Sequence, residues 1–212
     1  MNTDIFFDDT VDLQAQMKDF ENQQYFNTLK DLPYMPYYLT KYLIENCELM
    51  WKLLKYDNAD AWDTENLDEC EKVSMIYKGT PTQNDFKVFF DEGQDDAWDK
   101  QVSVLRIFPV EIEPVSHTHA DVYIAIQVMC HSAINHLSNY TTRVDSIIQN
   151  ILEKTNGRTI DGVGRMVFDI STFPSCTISA IGKKPYVGKT LIMGIDYSND
   201  EENETNEIEW YD

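Results

Sequence analysis

The 212-residue chain carries 37 acidic against 17 basic side chains, a formal charge of −20, with 42% apolar and 12% aromatic residues. That length and apolar share allow a buried core without disulfide or metal support, whereas so acidic a chain is ill suited to gripping nucleic-acid phosphates, which takes Lys and Arg to displace counterions. No apolar run approaches the ~18 residues of a membrane span, the acidic start "MNTDIFFDDTVD" is the reverse of a signal peptide, and Cys47, Cys70, Cys130 and Cys176 are too scattered for a zinc module or a disulfide framework.

Reduced thiols in a cytosolically made chain are therefore expected, and the sequons at Asn139 and Asn203 carry no weight. Residues 1–36 read as an acidic extended arm with aromatic islands (Phe6, Phe7, Tyr25, Phe26), closed by the prolines of "LPYMP". Residues 37–80 read as a helical hairpin. Leu39, Tyr42, Leu43, Cys47, Met50, Trp51 and Leu54 recur at three- and four-residue steps, one face of a helix over 37–56. After the turn-rich "DNADAWDTEN", Asn66 with Glu69 opens a second helix to Tyr77, with Gly79 at its C′ position.

Residues 81–197 change period. Strands are expected over 85–90, 101–115 (with Pro109 at a bend or edge), 120–132, 164–171, 176–181 and 190–198. Between them, 139–157 is an amphipathic helix whose buried face is Val144, Ile147, Ile148, Ile151 and Leu152, ended by Gly157. This order predicts an α+β fold, a small mixed or antiparallel sheet with one long helix packed on it. Residues 198–212 form an acidic tail. From Asp196 onward there are eight carboxylates, and no basic residue follows Lys189.

"GKKPYVGKT" (182–190) superficially suggests a phosphate-binding loop. Five residues separate Gly182 from Gly188 where four are needed, Pro185 has no N–H to offer, and "TLIMGIDYS" after it reads as a strand rather than a helix. A hairpin with a long basic tip, Lys183, Lys184 and Lys189, is the better reading. "HTHAD" with "CHSAINH" supplies His117, His119, Asp121, His131 and His136, enough ligand types for zinc but in permissive spacing. No nucleophile elbow, Cys/His signature or dinucleotide fingerprint occurs, so no catalytic, cofactor-binding or metal residue is assigned. Trp51 belongs to the core. Tyr34, Tyr37, Tyr38 and Trp62 flank helix ends as interface anchors, as do Lys183, Lys184, Tyr186 and Lys189 around the hairpin and Trp210 and Tyr211 in the tail.

"LIENCELMWKLLKYDNADAWDTENL" resembles the helical segment of small virion proteins of tailed bacteriophages. "HTHADVYIAIQVMCHSAINHLSNYTTRVDSIIQNILEKTNG", with "GVGRMVFDIS" and "YVGKTLIMGIDYS", resembles the strand–helix–strand core of phage neck and tail-terminator-like proteins. The resemblance covers about three fifths of the chain and leaves out the arm and the tail. It implies a non-enzymatic virion protein without cofactor, a ring-forming subunit between portal or adaptor and tail, through whose lumen DNA passes without specific binding. Carboxylates lining such a lumen would repel the DNA backbone. Two other classes stay open: an acidic DNA mimic that occupies a basic host protein, and a small metal-dependent hydrolase built on the histidines.

Overall fold

The strongest alternating segment of the sequence becomes the middle of the sheet. In the computed structural model, which describes residues 32–79, 86–92, 101–115 and 119–198, strand β3 (His119–His131) is paired along its whole length on both sides, by β2 (Ser103–Pro114) and by β7 (Tyr186–Ser198), both antiparallel. The seven-stranded order is β1-β2-β3-β7-β5-β4, with β6 also on β7. β1 (Val88–Phe89) runs parallel to β2 and makes the sheet mixed. β3 fills one edge of β7, so β5 (Gly164–Val167) and β6 (Thr177–Ile181) share the other, β5 opposite Gly194–Asp196 and β6 opposite Gly188–Ile192. β4 (Thr159–Ile160) pairs with β5. The register of β2 shifts between Pro109 and Glu111, the bend expected where a proline removes a ladder donor.

One face of this sheet carries the helices. α1 (Met35–Asn46), α2 (Glu48–Lys55) and α4 (Arg143–Thr155) join Val122, Ile124, Ile126 and Val128 of β3 and Leu191, Met193 and Ile195 of β7 in one core. The expected faces are buried: Leu39, Leu43, Cys47, Met50, Trp51 and Leu54 in the first helical segment, Val144, Ile147, Ile148 and Ile151 in α4, with Tyr42 and Leu152 half-buried. The α+β class holds. Fully burying each Leu or Ile contributes about 1.5–3 kcal/mol against leaving it in water.

Several elements differ from expectation. Residues 32–36, assigned to the extended arm, are a 3-10 turn (Leu32–Tyr34) and the first residues of α1, and β5 covers only Gly164–Val167 of the strand expected over 164–171. The helix over 37–56 breaks at Cys47 (φ −116, ψ 59) into α1 and α2. The cause is tertiary: Asn150 of α4 accepts from Met50 N (3.2 Å), capping the new helix start, and Trp51 Nε1 donates to Leu43 O (2.9 Å). The second helix is shorter, α3 (Glu69–Ser74), because Asp68 with Glu71 forms the capping box that Asn66 with Glu69 was expected to make. Its C-cap is Met75; Gly79 (φ +80) lies in the connection beyond, not at C′. Of the strand expected over 85–90, the described residues 86–90 yield only β1, because its partner on one side is the single bridge from Ile76 to Val88.

The "GKKPYVGKT" stretch is a hairpin. β6 ends at Ile181, β7 begins at Tyr186, and Gly188 pairs within the ladder opposite Met129. The tip is shorter than expected, Gly182 to Pro185, so Lys189 sits in the strand and not on the tip.

The sheet's other face is partly covered at its centre. Phe173 and Cys176, from the connection between β5 and β6, close over Tyr123, with Val167, Phe168 and Ile192 around them. Gly194 makes this possible. A Cβ there would sit 2.0 Å from the Phe173 ring, so only glycine lets the ring pack directly on β7.

Candidate functional site

The exposed aromatic and basic groups divide between two ends of the helical layer, and α4 sets the axis. At its start Arg143 is fully buried, and its guanidinium donates to Leu53 O (2.6 Å), Tyr56 O, Asn58 O (2.8 Å) and Ile134 O (3.0 Å). Near its end, Lys154 O accepts from Tyr42 of α1 (2.8 Å). The α1–α2 segment therefore runs antiparallel to α4, and the two termini of α4 lie ~20 Å apart along its axis.

At the α4 N-terminal end, Trp62 donates to Ser138 Oγ (3.0 Å) and Ser138 N to Ala59 O (3.0 Å), fixing the 57–64 connection on the 135–142 loop. Tyr140, with φ +66, projects fully exposed from that loop. The hairpin tip is tied to the same end. Ser132 N donates to Pro185 O (2.9 Å), and His131 and Tyr186 meet edge-on with centroids 5.5 Å apart. Lys183 and Lys184 are exposed there, while Lys189 reaches back to Asp145 in the first turn of α4. Asp145 is held below the usual carboxylate range by Lys189 first and the Thr142 hydroxyl second.

At the opposite end, Tyr34 and Tyr37 stand exposed at the start of α1. Tyr38 differs from them. Its ring lies over Gly162 in the β4–β5 turn, where a Cβ would come within 2.5 Å, and it is half-buried. Of the expected anchors, Trp62, Tyr186, Lys183 and Lys184 thus come together at one end, with Tyr34 and Tyr37 at the other. Trp210, Tyr211, the 1–31 arm and His117 lie outside the described residues.

Sequence reasoning missed Tyr140. The available signal was an aromatic between Asn139 and the helix-capping Thr142, a place from which no side chain can join the buried face of the helix. It also missed exposed Ile178 on β6 and the buried cation at Arg143.

The described histidines do not converge. His119 pairs with Asp196 (2.7 Å) at one end of β3 and His131 accepts from Ala133 N (3.2 Å) at the other, ~40 Å along the strand. His136 bridges to Thr142. Among the described residues no three His, Cys, Asp or Glu side chains gather as a metal would require. Of the thiols, Cys70 is exposed, and burial pushes Cys47 up to about 12, which keeps it protonated. None of the described helices is long and apolar enough to cross a membrane.

A family model described as YomW matches residues 48–195, well over half of the chain. The chain belongs to the YomW family. That family is phage-derived, and this member is accordingly phage-associated, as the resemblance of its helical and strand–helix–strand segments implied at the coarse level. No curated protein and no solved structure matches it. The segment shared with the YomW family holds the whole Trp62, Tyr140 and hairpin-tip end, whereas Tyr34, Tyr37 and the acidic tail fall outside it.

Proposed function

We infer that this phage-associated protein is a non-enzymatic structural component of the virion neck, a ring-forming subunit at the head–tail interface that forms part of the DNA conduit. The observation that carries the reading is the placement of exposed aromatic groups at two opposite ends of one rigid helical layer. Head-to-tail rings need two different, mutually complementary patches on one subunit, whereas a two-fold dimer needs only one. Large aromatics are the side chains that dominate such contacts once buried. The charge of −20 suits a wall past which DNA slides, because the lumen must repel phosphate and not bind it.

The test is complementation between broken interfaces. Wild-type protein, alone or with portal and tail proteins, is expected to give a ring mass by light scattering. Tyr34→Ala/Tyr37→Ala and Trp62→Ala/Tyr140→Ala should each weaken association by about 30-fold, the effect of losing a hot-spot anchor. An equimolar mixture of the two variants should stop at heterodimers, which retain one intact joint. A strict monomer that ignores virion proteins would overturn the reading. If that monomer also bound a basic host protein with steep salt dependence, it would be a DNA mimic.

A further inference from the structure

Strand β6 is an unprotected edge. Thr177, Ile178, Ser179 and Ala180 are all exposed, and among the described residues nothing pairs with the side of β6 that faces away from β7. Its sequence, TISAI, holds no charge and no proline, the usual devices that stop a sheet edge from recruiting another strand. Ile178 is 41% exposed on the helix-side face, and two lysines follow at the tip. A β-rich, uncharged edge ending in a basic tip suits an extended segment that is acidic at one end and apolar at the other.

We propose that β6 receives the C-terminal tail of a second copy of this chain as an added antiparallel strand. The tail reads "NDEENETNEIEWYD" over 199–212, acids first and Ile208 and Trp210 two apart near its end. In an antiparallel register with Trp210 opposite Ile178, Ile208 falls opposite Ala180 on the same face, Glu209 opposite Ser179, and Glu204 beside Lys184. A parallel register would put the acids against Thr177 and the aromatics against the lysines.

Chain length selects the second copy. β7 runs from Tyr186 beside the tip to Ser198, twelve residue steps or ~40 Å away. The six residues from Ser198 to Glu204 span at most ~21 Å, so the tail cannot bring Glu204 back to its own Lys184. The inference rests on the ring reading only in taking the neighbour to be another copy.

Disulfide trapping in the full chain tests it. Directly opposed Cα atoms of antiparallel strands lie ~4.5–5.5 Å apart, within disulfide range. In a Cys70→Ser background, Ser179→Cys protein mixed with Glu209→Cys protein should give covalent dimers of the two variants, while Ser179→Cys mixed with Glu204→Cys should not. Trp210→Ala and, separately, Lys183→Glu/Lys184→Glu should each weaken association at least tenfold while leaving the folded monomer intact, since the tip lysines are exposed and the tail follows β7. Lys189 is left unchanged because of its pairing with Asp145. An intramolecular disulfide in the doubly substituted chain, persisting on dilution, would overturn the proposal in favour of self-docking. Rings of normal mass with no cross-link would overturn it and leave the ring reading standing. A monomer with no cross-link would overturn both.

Discussion

At the residue scale the controlling group is Arg143, a cation without solvent exposure. It is stabilised by four backbone carbonyls from the end of α2, the following connection and the loop before α4. Burial lowers its proton affinity, yet its ordinary value is so high that the charge remains. Removing it takes away a donor from all four carbonyls at once, three of them on residues that are buried or half-buried (Leu53, Tyr56 and Ile134). Arg143→Ala should therefore destabilise the fold by about 3 kcal/mol or more in urea denaturation. Arg143→Lys should recover little of this, because an ammonium cannot reproduce the planar fork. Full recovery by lysine would mean that charge alone matters there.

At the element scale, the bare backbone of Gly194 decides how the second face of the sheet is covered. The Phe173 ring occupies the place of its side chain and meets Tyr123 edge-on at 5.8 Å. Gly194→Ala should destabilise by about 1–3 kcal/mol through overpacking. In a Phe173→Ala background the same substitution should cost much less, and a double-mutant cycle reads the difference as coupling. Additive effects would show that ring and glycine are independent. Element boundaries carry a related lesson. The helix period over 37–56 is plain in the chain, but its interruption at Cys47 depends on Asn150, about a hundred positions away, whose amide oxygen caps Met50. A local pattern cannot contain that information.

For the whole molecule, helices and sheet share one core from Met35 to Tyr197. Neither layer buries its apolar face without the other, so unfolding should be a single cooperative transition. Leu43→Ala, in α1, should lower the midpoint seen by tryptophan fluorescence and by strand circular dichroism to the same extent, by an amount matching about 2–5 kcal/mol. Two separated transitions would contradict a common core.

Much of the architecture was legible from the chain alone, because periodicity is a local property. Alternation in 120–132 marks the central strand, the three-and-four spacing of Val144, Ile147, Ile148 and Ile151 marks the helix on it, and the misspaced glycines with Pro185 mark a hairpin where a nucleotide loop was conceivable. The grouping of exposed side chains was not legible. Trp62, Tyr140 and Lys184 are far apart in sequence and reach one end of the molecule only through the bonds of Ser138 to the 57–64 connection and of Ser132 to Pro185. Burial periodicity says which residues must leave water. Which of the remaining surface residues become neighbours is fixed by how the layers dock, and only the folded chain contains that.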